Sequence, residues 1–267
     1  MIDAFTLKGQ SGNISAELVL PEGFDKERDR AVLVILMHGF LGSKTATPMG
    51  FLGKLLVENG YAVLRFDFNG YGESDGAQQD NTVPGMLEDA KLVWDYATGL
   101  HFIDKIVLLG HSQGGVVASM TAGRLEKAGT PPAGLILMAP ASILKEYARK
   151  GRFFSVRCNP VNPPEFINVY GFKIGRKYIL SAQKLPIEEE SSWFTGPVRL
   201  FHGTWDLIVP AFCSKRYAQL YQNCKLTLIW ATGHIFFFRR RKVAKLLLEG
   251  LRAQTFSVKK SFGGQKM

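Results

Sequence analysis

Cysteine is scarce in this 267-residue chain: Cys158, Cys213 and Cys224 are its only three. No two of them form a Cys-x-x-Cys pair, which excludes a disulfide framework and a cysteine-based zinc site. No His/Cys/Asp/Glu cluster has metal-ligand spacing, so no metal is expected. The N-terminus MIDAFTLKGQ lacks a basic stretch followed by an apolar one and does not read as a signal peptide. No apolar run approaches the roughly 18 residues of a membrane-spanning helix. These absences together predict a reduced, cytoplasmic protein with no membrane insertion.

Acidic residues thin out toward the C-terminus. Residues 236–267 hold nine Lys/Arg against Glu249 alone, and residues 141–191 hold nine against five acids, so the net charge of +10 is regional. Such charge suits nucleic acid or a membrane surface. No nucleic-acid-binding motif accompanies it, and the plainer reading is a solvated helix face and tail. Apolar residues make up 46% and charged residues 21%, ordinary for a globular chain of one large domain, with or without an insertion.

Six apolar runs read as buried strands: 31–37, 61–68, 105–110, 134–140, 197–203 and 225–230. Between them lie helix-like stretches at 48–59, 83–98, 113–128, 212–222 and 239–252. In 83–98, Val83, Met86, Leu87, Ala90, Val93, Trp94 and Ala97 follow a 3.6-residue period. Residues 1–20 read as an antiparallel hairpin turning near Gly12–Asn13. The alternation predicts an α/β fold with a mostly parallel sheet, whose ligands bind at the C-terminal strand ends. It breaks between Pro140 and Pro197. The expected organisation is a core over 1–140 and 192–255, a cap inserted at 141–191, and a disordered basic tail at 256–267. The cap carries Tyr147, Phe153, Phe154, Phe166, Tyr170, Phe172 and Tyr178. Most of these are expected to form its own small core, with one face over the strand ends.

The segment GHSQG (110–114) follows an apolar strand and precedes a helical stretch. A serine on so tight a strand-to-helix turn has a strained backbone that pushes its oxygen above the sheet, and flanking glycines leave room for the turn. Ser112 is therefore the candidate nucleophile. Such a serine needs a base and an orienter, in the chain order Ser…Asp…His. Asp206 in HGTWDLIVP and His234 in ATGHIF each lie just past a strand in that order. Asp67 and Asp75 are weaker rivals because they precede the serine. His38 and His202 read as turn-shaping residues, His111 flanks the serine, and His101 lies in a helix–strand connection. An oxyanion needs two donors. The backbone N–H of Gln113 is one; the other belongs to HGFLGSK (38–44), at Phe40 or, in a tighter turn, Leu41.

These residues resemble the α/β-hydrolase family. GHSQGGVVASM (110–120), LSAQKLPIEEESSWFTGPV (180–198) and HGTWDLIVP (202–210) are similar to the cinnamoyl (feruloyl) esterases of gut and rumen bacteria. The resemblance implies an α/β-hydrolase fold with a cap, and hydrolysis of hydroxycinnamate esters without a cofactor. It implies a Ser112–His234–Asp206 triad, an acyl-enzyme intermediate, and oxyanion donors at Phe40 and Gln113. Tyr178 matches a cap tyrosine able to reach the ring hydroxyls, and Tyr147 stands near a position where such enzymes tend to carry an acid. The partner is then a small-molecule ester, with room for a homodimer. A short-chain carboxylesterase, a monoacylglycerol lipase or a thioesterase would use the same triad.

Overall fold

The computed structural model describes residues 1–253, so the tail expected at 256–267 lies outside the described residues. The chain opens with a hairpin, β1 (Ile2–Gly9) and β2 (Gly12–Val19), that pairs Gly9 with Gly12. The turn is thus Gln10–Ser11, two residues earlier than expected. Gly12, at φ +118°, closes it rather than forming its tip, because only glycine takes that angle without strain.

Six further strands and five helices follow the expected alternation: β3 (Ala31–Met37), α1 (Met49–Glu58), β4 (Ala62–Phe66), α2 (Val83–Thr98), β5 (Ile103–His111), α3 (Gln113–Lys127) and β6 (Gly134–Met138), and beyond a stretch of smaller elements β11 (Val198–Gly203), α7 (Ala211–Ala218), β12 (Cys224–Ile229) and α8 (Arg240–Ala253). The eight-stranded sheet runs β1-β2-β4-β3-β5-β6-β11-β12, parallel except for the pairings of β2 with β1 and β4. Residues along β3 alternate between two cores. Leu33, Ile35 and Met37 meet α2, α3 and α7 on one face, while Val32, Val34 and Leu36 meet α1 and α8 on the other. Coverage on both faces is why the central strands read as continuous apolar runs. Helix α2 begins where Thr82 Oγ1 accepts the Gly85 N–H at 3.1 Å, with Pro84 in the first turn.

Between β6 and β11 lie α4 (Leu144–Arg149), two small hairpins, β7 (Arg152–Phe153) with β8 (Val156–Arg157) and β9 (Phe166–Val169) with β10 (Phe172–Gly175), then α5 (Arg176–Ala182) and α6 (Ile187–Ser192). A buried hydroxyl network, Ser119–Ser191–Tyr217, ties α6 to α3 and α7. The aromatics of this segment do not all form a core of their own. Phe153, Phe172 and Tyr178 are buried, whereas Phe154, Phe166 and Tyr170 are exposed. A segment this thin has too little interior to hide seven rings. Among the described residues, no helix is long and apolar enough to cross a membrane.

Candidate active site

Four residues other than glycine with positive φ stand at the C-terminal ends of parallel strands: Leu41 after β3, Ser112 after β5, Ala139 after β6 and Ala231 after β12. Backbone strain of this kind persists only where surrounding structure enforces it, and it gathers at functional sites. At Ser112 (φ 55°, ψ −120°) the chain turns from β5 directly into α3. The enforcement is steric. A Cβ on Gly110 would run into the Gly114 carbonyl, and one on Gly114 into the carbonyls of Met37 and His38. The strand, turn and helix pack too closely for any side chain at either position.

The loop after β3 presses on the same turn. A Cβ on Gly39 would lie 2.9 Å from Ser112 Cβ. His38 pins this loop, with Nδ1–H donating to Gly39 O at 2.9 Å and Nε2 accepting the Phe68 N–H at 3.2 Å. That pattern needs a neutral ring, and burial lowers its pKa accordingly. Gly42 N–H closes the turn on Gly39 O at 3.0 Å, with Leu41 at φ 59°. Phe40 borders a cavity of about 330 Å³ with Ser112 and Gln113. Gln113 opens α3, where N–H groups lack intrahelical acceptors.

Asp206 and His234 are brought together by the parallel pairing of β11 and β12. His234 Nδ1–H donates to Asp206 Oδ2 at 2.7 Å, and Asp206 Oδ1 accepts the N–H groups of Ile208 and Val209, both at 2.9 Å. Burial alone would raise the Asp206 carboxyl. The hydrogen bonds from His202, His234 and the Val209 amide outweigh it and hold the group well below the usual carboxylate range. Ser112 Oγ has no hydrogen-bond partner among the described residues and borders the cavity. Serine–base contacts commonly tighten only when substrate arrives. The two rivals serve elsewhere: Asp67 pairs with buried Lys44 at 2.9 Å, and Asp75 accepts the Asn13 N–H in the first hairpin.

The family model described as "Serine aminopeptidase, S33" matches residues 28–161, half of the chain, including the Ser112 turn. The chain belongs to this family of α/β-hydrolases. A solved structure of Est1E from Butyrivibrio proteoclasticus with ferulic acid bound is 29% identical, covers 94% of this chain and 99% of its own, and superposes with a TM-score of 0.87. Protein ABHD12B of Homo sapiens is 27% identical over 73% of this chain and 51% of its own length. The lysophosphatidylserine lipase ABHD12 of Gallus gallus is 33% identical over 45% of this chain and 31% of its own. The chain spans about half the length, or less, of the curated relatives it matches.

Two histidines of this α/β-hydrolase do more than their sequence positions suggested. His202 is not only a turn residue: its Nε2–H lies 2.8 Å from Val209 O and 3.2 Å from Asp206 Oδ2, while Nδ1 accepts from Ser214 Oγ at 2.6 Å. His111 Nε2–H donates to the His234 carbonyl at 2.9 Å, fastening the histidine loop beside the serine turn. Burial and the neighbouring His234 push its pKa down to about 3, so it stays a neutral donor. The signal for both was faint, a His-Gly at a strand end and a His before the serine. Their partners lie on other strands.

The segment between β6 and β11 supplies Tyr147, Arg152, Phe153, Phe154, Tyr170 and Tyr178 to the cavity wall. Phe154 stacks on Phe40 at 5.7 Å. The Arg152 guanidinium sits over the Tyr147 ring at 5.8 Å. Tyr178 leaves its hydroxyl without a hydrogen-bond partner among the described residues, and burial raises its pKa so that it remains a neutral phenol.

Proposed function

We propose that the protein is a serine carboxylesterase that cleaves hydroxycinnamate-type esters. Ser112 attacks the ester carbonyl while His234 takes its proton, and His234 later returns that proton to the departing alcohol. Asp206 holds the imidazole in the Nδ1–H tautomer and stabilises the imidazolium. The N–H groups of Gln113 and Phe40 meet the oxyanion, and water then releases the acid from the acyl-serine. The segment 141–191 acts as a cap that forms one wall of the acyl site, with Tyr147 and Arg152 beside the ring.

The observation that carries the substrate class is Tyr178, a buried phenol on the wall of a largely apolar cavity that several aromatic rings line, with its hydroxyl unpartnered. A planar phenolic acyl group would lie between the rings and complete that hydrogen bond. The bound ferulic acid of Est1E supports the same reading. Arg152 on the cavity wall favours a second one, an ester with an anionic headgroup, as in the lipids for which the ABHD12 relatives are named.

A panel of methyl ferulate, methyl cinnamate, long-chain acyl esters and lysophospholipids separates them. Methyl ferulate should lead in kcat/KM. Tyr178→Phe should lower it for ferulate but not for cinnamate, by about tenfold, the effect of one hydrogen bond. Equal losses on both esters would remove Tyr178 from recognition, and a lead for lysophospholipids would move the protein to the second reading. Ser112→Ala should lose both turnover and fluorophosphonate labelling; retained labelling would sink the nucleophile assignment.

A further inference from the structure

The loops that carry Asp206 and His234 also carry an exposed apolar ridge. Trp205 is 59% exposed, Leu207 96%, Trp230 64% and Phe238 81%. Pairing of β11 with β12 sets Trp205 and Trp230 together at 5.8 Å, and the Phe237 and Phe238 rings meet at 5.5 Å. Large apolar side chains exposed side by side are unusual on a globular surface and mark a contact site. The ridge reaches the mouth of the cavity, since Leu207 and Ile208 belong to both.

The charge around the ridge says what it contacts. No Asp or Glu occurs anywhere from Leu207 to Leu248, while Arg239, Arg240, Arg241, Lys242 and Lys245 follow the ridge directly. The Arg239 guanidinium lies 5.7 Å from the Trp230 ring centre and that of Arg240 4.3 Å from Phe237. Arg241 and Lys242 are exposed and have no ion pair among the described residues. Exposed tryptophans interleaved with arginine and lysine are the chemistry of a membrane interface: rings enter the headgroup layer and cations meet lipid phosphates. A second copy of this chain fits poorly, because a two-fold contact would set this basic segment against itself. Contact of this kind needs no spanning helix.

We infer that this ridge docks the protein on an anionic phospholipid surface, with the cavity mouth facing the headgroups. The inference concerns binding and stands whichever ester is cleaved. Its test is sedimentation of the full chain with vesicles of phosphatidylcholine alone or mixed with phosphatidylglycerol, at low and at high salt. Partitioning onto the anionic vesicles should be at least about tenfold stronger than onto neutral ones, and should weaken as salt screens the charges. Arg241→Gln with Lys242→Gln should cut the anionic preference by about tenfold or more. Phe238→Ser should lower partitioning onto anionic vesicles at every salt concentration. Both variants should hydrolyse water-soluble p-nitrophenyl acetate as the parent does, which shows that they are folded. Equal partitioning on both vesicle types, or an anionic preference that survives the Arg241/Lys242 change, would overturn the inference. So would light scattering that shows a dimer broken by Phe238→Ser, which would assign the ridge to a second copy.

Discussion

Asp206→Asn is the sharpest test of the proposed chemistry, because the structure dictates how the amide must sit. One carboxylate oxygen accepts two backbone N–H groups, from Ile208 and Val209, which cannot become acceptors. The oxygen of the new amide must therefore stay there. Its NH2 is turned toward His234 Nδ1 and His202 Nε2, both of which donate in the parent. His234 escapes the clash by moving its proton from Nδ1 to Nε2, and in the proposed triad the nitrogen that should take the Ser112 proton then already carries one. Loss of the correct tautomer in a serine triad costs about four orders of magnitude in kcat, or about 5.5 kcal/mol of transition-state stabilisation. His202 has no equal escape, since Nε2–H is also held by Val209 O and Nδ1 already accepts from Ser214. The variant should therefore also lose stability, by about 1–3 kcal/mol. The assays are kcat on p-nitrophenyl acetate and the urea midpoint, with Asp75→Asn as the control. Turnover by Asp206→Asn within about tenfold of the parent would refute the reasoning, because no neutral amide satisfies this geometry and leaves the base free.

Asp89 offers a pH test. Burial, opposed by the Asn69 N–H at 2.9 Å and helped by Glu88, pushes its carboxyl from 3.8 up to about 6. The folded chain then holds this proton up to about pH 6 while the unfolded chain releases it near pH 4, so the Asp89 contribution to stability falls as pH rises between those values. Asp89→Asn should flatten that slope and be more stable at neutral pH by up to about 3 kcal/mol; urea midpoints measured across the window check it, and an unchanged slope would refute it. Gly114→Ala should cost about 3 kcal/mol or more by urea unfolding, since the Cβ meets rigid backbone. Gly129→Ala, at φ +78° in open space, should cost only about 1 kcal/mol. The reverse order would show that backbone angle, not close packing, governs these glycines.

The sequence alone determined the core strands, the tight turn at Ser112 and the order Ser112, Asp206, His234. Each rests on local physics: a strand buried on both faces must be apolar throughout, a strand-to-helix turn this close admits only glycine beside it, and a parallel sheet presents its strand ends on one side. The hairpin turn lies two residues before the Gly12–Asn13 position that the sequence suggests, because glycine is as useful just beyond a tight turn as at its tip. The partners of His202 and His111, the unpaired Tyr178 hydroxyl and the aromatic ridge were out of reach. Trp205 and Trp230 stand 25 residues apart in the chain and meet only because β11 and β12 are neighbours in the sheet. The basic run after Phe238 reads as an ordinary solvated helix face until those rings are set beside it. Whether a side chain is buried, paired or left facing solvent depends on which distant strand lies next to it, and only the tertiary structure decides that.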